Sequence, residues 1–170
     1  DGVLLMELIT DENGDVAPRL NEVSMSAEQA REDHALMMHY VMCMLCAGLV
    51  HGDLSEFNVL VDENGPVIID LPQAVDAAAN NNARSMLERD VKNMSDYYGL
   101  FAPELRNSHY AEEIWALYEE GLLHPDVKLT GQFEVDTHAA DVDSVMQEIK
   151  AALADEESRK QRLRDAEAGD

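Results

Sequence analysis

The feature that most constrains this chain is a polar loop held between short apolar stretches near the middle of the sequence. The loop spans residues 51–58, and apolar runs follow at 59–61 and 67–69, the second of which ends at Asp70. Short apolar runs rich in β-branched residues and separated by an Asn-Gly pair predict two strands paired as a hairpin. Two carboxylates and one amide therefore flank a predicted β-hairpin, which is a compact place to build a binding site.

The spacing of the polar side chains in this loop indicates phosphoryl-transfer chemistry. Asp53 and Asn58 are five residues apart, and Asp70 follows Asn58 by twelve residues. The pattern H-x-D-x-x-x-x-N, followed by an apolar run that ends in Asp, is typical of phosphoryl-transferring kinases. In such a site Asp53 is the base that accepts the proton of the substrate hydroxyl. Asn58 and Asp70 supply the hard oxygen ligands that Mg²⁺ prefers.

The residues that fill this pattern resemble those of the RIO family of atypical serine protein kinases. The matching motifs are His-Gly-Asp at 51–53, Leu-Ser-Glu-Phe-Asn at 54–58 and Ile-Ile-Asp-Leu-Pro-Gln-Ala-Val at 68–75. Ordinary protein kinases carry His-Arg-Asp and Asp-Phe-Gly, whereas this chain has Gly52 in place of the Arg and Leu71-Pro72 in place of Phe-Gly. The resemblance runs from about residue 3 to about residue 152. It looks closest to bacterial RIO1-like proteins, including the stretch 89–93.

The resemblance implies an α+β fold that is mostly α. This fold is similar to the C-terminal, large lobe of a protein kinase, with a short catalytic β-hairpin and the small lobe absent. The apolar residues 3–9 are a predicted strand that the resemblance assigns to the hinge between lobes. No Gly-rich phosphate loop occurs in the sequence, so we expect the chain to start at the hinge and to be inactive alone. The expected divisions are a hinge strand at 1–9, a RIO large lobe at 10–152 and a charged helical tail at 153–170.

The resemblance also implies which residues contact the cofactors, ATP and Mg²⁺. Backbone groups at i and i+2 of an extended segment face the same edge, so the Glu7 carbonyl and the Ile9 amide can both meet an adenine. An ordinary edge strand is the alternative for this segment. Leu60 is expected in the floor under the adenine, and Ser55 is expected to contact the nucleotide.

A second role for Asp70 also follows from the resemblance. The family implicates the Asp at this position as a phosphate acceptor, and a carboxylate can act as a nucleophile in phosphoryl transfer. We therefore expect Asp53 and Asp70 to be the catalytic residues and Asn58 and Asp70 to be the metal ligands. The alternative is that Asp70 only binds the metal.

The function that the resemblance implies is transfer of the γ-phosphoryl group of ATP to Ser of a protein, to the chain itself, or to water. A precursor of the small ribosomal subunit is the partner that the family suggests. One rival is a small-molecule kinase of the aminoglycoside phosphotransferase type, although such proteins usually carry His-Pro where this chain has Ser55-Glu56. A second rival is a non-catalytic interaction module. A plain polar turn in a hairpin is the third interpretation of the loop.

Helix-capping signals predict the helices. Ser26 and Gln29 form a predicted capping box for a helix from about 27 to 47 that stops at Gly48 and is buried through its lower half. A helix is predicted at 83–92, and a second helical piece continues to about 101 after a break at Asn93. Two more helices are predicted, one at 109–120 and one from about 142 into the tail.

Two packing predictions concern the surroundings of the loop. The first is that Leu60 and Ile69 are buried beneath the hairpin. The second comes from the resemblance alone, which indicates that Arg89 and Asp90 form a buried ion pair bracing the loop from behind. A surface pair is the alternative for these two residues.

Composition limits the partners of the chain. Lys plus Arg number 12 and Asp plus Glu number 35, which gives a formal charge of −23. Such acidity argues against broad binding of nucleic-acid phosphates. The basic cluster at 159–164 is interpreted as a solvated helix face, and a local nucleic-acid or ribosome contact is the alternative. The sequence has no leader pattern and no long apolar span, so we expect a cytoplasmic protein without a membrane partner. Cys43 and Cys46 are predicted to be core thiols, with a redox C-x-x-C motif as the alternative.

Overall fold

The computed structural model of the chain describes residues 6–133, which contain helices and two small antiparallel sheets. In chain order the elements are α1 (Ala27–Cys46), β1 (Leu49–Val50), β2 (Val59–Asp62), β3 (Gly65–Ile68), β4 (Val75–Asp76), α2 (Ala83–Tyr98) and α3 (Tyr110–Glu119). Short 3-10 turns lie at Leu20–Glu22, Leu71–Gln73 and Pro103–Asn107. This content agrees with the predicted class, which is α+β and mostly helical.

Helix α1 begins and ends close to where its capping residues predict. The Ser26 hydroxyl accepts a hydrogen bond from the Gln29 backbone N–H at 3.1 Å, which caps the first turn. The Gln29 side chain donates to Asp33 instead of returning to Ser26, so only half of the predicted capping box forms. After the helix, Gly48 takes a φ of 80°, a left-handed conformation that glycine adopts without strain.

Helix α1 buries one stripe of side chains and packs against α2, α3 and β1. The buried members recur at helical spacing: Ala30, Asp33, His34, Met37, Met38, Val41, Met42 and Leu45. The prediction that its lower half is buried nearly all round was too broad. Cys43 is half-buried and Cys46 is exposed, so the prediction of core thiols was wrong for Cys46; both cysteines are free.

The predicted hairpin is formed by β2 and β3, in antiparallel register with Val59 opposite Ile68. Asp62 pairs with Gly65, which leaves a tight turn at Glu63 and Asn64. Val59 is the fully buried residue of β2, whereas Leu60 and Ile69 are only half-buried. The burial predicted for those two residues was therefore wrong, because side chains alternate along a strand and Val59 faces the core.

A second, smaller sheet was not predicted. Strand β1 precedes the polar loop, and its Val50 pairs with Val75 of β4 in antiparallel register. The segment after Asp70 therefore returns to the start of the loop after only a few residues. This pairing closes the chain around the loop and limits its freedom.

Helix α2 runs from Ala83 to Tyr98 without interruption. The predicted break at Asn93 was wrong. Asn favours turns because its side chain competes for backbone hydrogen bonds. Here the Asn93 side-chain amide donates instead to the carbonyl of Leu54, at 3.0 Å, and this tertiary bond removes the competition.

The N-terminal segment differs from the predicted strand. Residues 6–9 form no strand with any described residue, and the first pairing is an isolated bridge between Thr10 and Val16. The Ile9 carbonyl accepts from the Ala17 N–H at 3.0 Å. Residues 1–5 of the predicted hinge strand lie outside the described residues, as do the helix predicted from about 142, the tail at 153–170 and the basic cluster at 159–164.

Helix α3 closes the core and ends before Gly121, as predicted. Ile114 and Trp115 of this helix are buried in the same cluster as the stripe of α1 and the inner face of α2. Within residues 6–133, no helix is long and apolar enough to cross a lipid bilayer.

Candidate active site

The polar loop is closed by hydrogen bonds from Asn58. Its side-chain nitrogen Nδ2 donates to the carbonyl of Asp53 at 2.8 Å, and its backbone N–H donates to the carbonyl of Ser55 at 3.0 Å. Since the amide nitrogen is used inside the loop, the oxygen Oδ1 is the atom of this side chain left to bind a ligand. Asp53 itself is exposed at the turn of the loop.

Backbone bonds join the loop to the segment that ends at Asp70. The Asn58 carbonyl accepts from the Ile69 N–H at 3.0 Å, as the hairpin register continues by one residue. His51 adds a second connection, because its Nε2 lies 2.8 Å from the Ile69 carbonyl oxygen. Asp53, Asn58 and Asp70, which are separated by up to seventeen residues in sequence, are therefore held in one hydrogen-bonded unit.

Asp70 has an unusual backbone conformation. Its φ is 68° and its ψ is 34°, and it is the one described residue other than glycine with a positive φ. A left-handed conformation costs a residue with a side chain about 1–2 kcal/mol, and such residues concentrate at functional sites. Asp70 immediately precedes the 3-10 turn Leu71–Gln73, and the Gln73 side chain donates to one of its carboxylate oxygens, Oδ2.

Helix α2 holds the backbone on both sides of Asp53. The Asp90 carboxylate accepts from the N–H of Gly52 at 2.7 Å and from the N–H of Leu54 at 3.0 Å. Arg89 donates to the Gly52 carbonyl, and Asn93 donates to the Leu54 carbonyl. All four backbone polar groups of the two residues that flank Asp53 are thus bound by side chains from one helix.

This arrangement corrects the predicted ion pair. Asp90 is buried, with 2% of its surface exposed, but Arg89 is exposed and no salt bridge joins the two in the described part of the chain. The two residues do brace the loop, through its backbone instead of through each other. Burial raises the pKa of Asp90 above its usual range, and the bonds from Gly52 and Leu54 act in the opposite direction.

Of the predicted nucleotide contacts, Leu60 lies on β2 and Ser55 lies in the loop before it. The Val61 N–H donates to the Pro18 carbonyl at 2.9 Å, and Arg19 forms a bridge with Leu60, so the segment after Ile9 runs along this strand. Leu60 and Ser55 are half-buried, which leaves part of each surface open. Glu7 is exposed, and its backbone makes no hydrogen bond within residues 6–133.

The donor set fits magnesium. Asn58 offers Oδ1 and Asp70 offers a carboxylate, and Mg²⁺ is commonly held by one or two such side chains together with phosphate oxygens and water. No cluster of three or more His, Cys, Asp or Glu occurs within residues 6–133, so the described part offers no dedicated all-protein cage. An ion that shares its ligands with a nucleotide is the kind that these two residues suit.

Comparison with protein families matches residues 1–111 to the RIO domain, and this match covers more than half of the chain. The chain belongs to the RIO family. A relative from Haloferax volcanii, named RIO-type serine/threonine-protein kinase Rio1, is 38% identical over 96 residues, which are 56% of this chain and 32% of the relative. The RIO match includes the polar loop, the hairpin and α2.

Two further RIO relatives come from other lineages. The human serine/threonine-protein kinase RIO1 is 39% identical over 83 residues, which are 48% of this chain and 14% of the relative. The RIO-type serine/threonine-protein kinase Rio2 of Methanocaldococcus jannaschii is 54% identical over 52 residues, or 30% of this chain and 19% of the relative. The chain therefore spans less than a third of the length of these RIO kinases, to which it is similar.

Sequence reasoning missed three residues of this RIO site. His51 was noted only as part of the motif, yet it connects Asp53 to Ile69. Asn93 was interpreted as a helix break, although its position four residues after Arg89 is a signal that it shares the face of α2 directed at the loop. Gln73 lies three residues after Asp70, the spacing at which a side chain reaches back across a helical turn.

Proposed function

We propose that this RIO domain, together with the small lobe that the chain is expected to lack, transfers the γ-phosphoryl group of ATP, with Mg²⁺, to a Ser hydroxyl of a protein, to itself, or to water. The observation that carries this proposal is the set of bonds made by Asn58. They tie Asp53, the expected base, to Asn58 and Asp70, the expected metal ligands, in one unit. The names of the relatives support the serine/threonine kinase class.

Asp53 is the proposed base. Its carboxylate makes no hydrogen bond within residues 6–133 and is exposed, so it is accessible to a substrate hydroxyl. Its backbone is fixed on both sides by the side chains of α2, which limits the positions that the carboxylate can take. Orientation of this kind is a large part of catalysis in phosphoryl transfer, where the protein forms few covalent bonds.

Asn58 Oδ1 and the Asp70 carboxylate would hold Mg²⁺. Bound in this way, the ion would neutralise the charge that develops on the transferred phosphoryl group. The chain's own contribution is to present two oxygen ligands at the open end of the hairpin, one just before β2 and one just after β3. Leu60 and Ser55, with the backbone of Glu7 and Ile9, complete the proposed nucleotide site.

A protein acceptor is preferred over a small alcohol. The relatives' names support a serine/threonine acceptor and do not favour the aminoglycoside-kinase alternative. A precursor of the small ribosomal subunit is the proposed partner, which the family resemblance supports. The cytoplasm is the proposed location.

The experiment that tests this function uses the full-length protein, meaning a chain that carries both kinase lobes. It measures transfer from γ-labelled ATP with and without magnesium. Labelled phosphate should appear on the protein or be released to water only when magnesium is present. Asp53→Asn is the inactive control. A folded protein that does not bind ATP would support the interaction-module alternative, and label found mainly on added small alcohols would support the small-molecule kinase.

A further inference from the structure

The carboxylate of Asp70 has an exposed side-chain partner, which belongs to the motif at 68–75 but for which the motif predicted no role. Gln73 Nε2 donates to Asp70 Oδ2. Because a carboxylate only accepts hydrogen bonds, the amide nitrogen and not the amide oxygen must face it. The direction of this bond is therefore fixed by chemistry.

The local backbone explains why the Asp70 carboxylate is available for this bond. Asp at the start of a helical turn usually caps it, by accepting from the backbone N–H two or three residues later. Here the second residue of the turn is Pro72, which has no N–H, and the Gln73 N–H donates to the Asp70 carbonyl at 3.3 Å. The carboxylate makes no capping bond, and the Gln73 side chain approaches it instead.

The bond assigns different tasks to the two oxygens of Asp70. Oδ2 accepts from Gln73, whereas Oδ1 accepts no hydrogen bond within residues 6–133, so Oδ1 is the oxygen with both lone pairs open to a metal ion or a phosphoryl group. A bond to one oxygen restricts rotation of the carboxylate and so favours metal binding through the other oxygen. The left-handed backbone of Asp70 sets where the side chain starts, and Gln73 sets how the carboxylate is turned.

We propose that Gln73 is a positioning residue for the RIO reaction, which orients the Asp70 carboxylate so that Oδ1 meets the magnesium of MgATP. This inference rests on the proposed function, because it assumes that Asp70 is a metal ligand. It adds a residue with no direct contact to metal or nucleotide. Gln73 acts through its bond to Oδ2.

Two substitutions separate the hydrogen bond from side-chain bulk. Gln73→Ala removes the side chain, and Gln73→Met keeps its length but cannot donate. Gln132→Ala is the matched control, since Gln132 is also an exposed glutamine and its side chain makes no hydrogen bond within residues 6–133. Gln73 is exposed, so both variants should fold, and thermal unfolding followed by circular dichroism checks this.

The measurement is magnesium titration of the full-length protein at a fixed concentration of a non-hydrolysable ATP analogue, together with the magnesium dependence of transfer from ATP. Because Gln73 is exposed, its bond is expected to contribute no more than a typical net hydrogen bond, which predicts roughly fivefold weaker magnesium affinity in both Gln73 variants. The apparent KM for magnesium should rise by the same factor, with a smaller change in kcat at saturating magnesium. Gln132→Ala should behave as the wild type does.

The outcomes distinguish failure of the role assigned to Gln73 from failure of the proposed function. If Gln73→Met behaves as the wild type does, the side chain acts by bulk and the inference is wrong. Unchanged or tighter magnesium binding in both Gln73 variants would also overturn it, while leaving the proposed function intact. If the wild type shows no magnesium-dependent nucleotide binding, the proposed function fails and the inference fails with it.

Discussion

His51 and Ile69 are joined by a hydrogen bond of 2.8 Å between the imidazole Nε2 and the backbone carbonyl oxygen. A carbonyl only accepts, so Nε2 carries the proton; Nδ1 in turn accepts from the Asp53 N–H at 3.3 Å. The ring is therefore a neutral imidazole that connects the residue of the proposed base to the residue before Asp70.

The first prediction separates the base from the metal ligands in the full-length protein. Asp53→Asn should reduce phosphoryl transfer by about 10²–10⁴-fold with MgATP binding nearly unchanged, because the base acts in the chemical step. Asn58→Ala and Asp70→Ala should weaken magnesium-dependent nucleotide binding. Calorimetric titration of ATP with and without magnesium measures the difference, and equal loss of binding in all three variants would contradict the assigned roles.

The second prediction concerns Asp70 as a phosphate acceptor. We expect the full-length protein, given labelled ATP and magnesium, to accumulate acid-stable phosphate on Asp70 that hydroxylamine removes, as is expected of an acyl phosphate. In this step the carboxylate oxygen forms a bond to the γ-phosphorus and ADP leaves. Hydroxylamine treatment and peptide mapping locate the label, and Asp70→Asn is the control. Label confined to Ser and resistant to hydroxylamine would leave Asp70 as a metal ligand alone.

The third prediction tests how α2 holds the loop. Asp90→Ala leaves two N–H groups, those of Gly52 and Leu54, without partners beneath the loop, and each such group costs about 1–3 kcal/mol. We expect the free energy of unfolding in urea to fall by about 2–6 kcal/mol. Asp96→Asn is the matched control on the same helix, because Asp96 is exposed in a surface pair with Lys92 and should change stability by less than about 0.5 kcal/mol. Equal effects of the two substitutions would show that Asp90 does not hold the loop.

Local sequence signals predicted the elements that local chemistry determines. Ser26 and Gly48 give the ends of α1 to within one residue, and the Asn64-Gly65 pair gives the hairpin. The motif also identified Asp53, Asn58 and Asp70, and the structure connects these residues by hydrogen bonds.

Long-range contacts explain what the sequence did not predict. Asp90 binds backbone groups that are 36 and 38 residues away, and a backbone N–H carries no side-chain signal in a sequence, so the neighbouring Arg89 was taken as the partner. Asn93 remains helical because Leu54 binds its side chain. The pairing of Val50 with Val75 joins strands too short to recognise from periodicity.

The fourth prediction is a pH dependence of stability that comes from His34. This residue is 1% exposed, its Nε2 lies 2.9 Å from the Ser95 hydroxyl, and burial lowers its pKa from 6.5 to about 4. At a pH between those two pKa values, His34 is protonated in the unfolded chain and neutral in the folded chain. Stability is therefore fully present above pH 6.5 and is lost as the pH falls towards 4.

His34→Gln removes this titration, and His39→Gln, at an exposed histidine of the same helix, is the control. From about pH 7.5 to 5, the wild type should lose roughly 2 kcal/mol more unfolding free energy than His34→Gln does, and His39→Gln should follow the wild type. The range stops above the sequence pI of about 4.3, near which an acidic chain precipitates. Burial raises the pKa of the neighbouring Asp33, which acts in the opposite direction but is common to all three proteins and cancels in the comparison. Urea unfolding at several pH values measures the effect, and parallel curves for the wild type and His34→Gln would mean that His34 is not a buried neutral histidine.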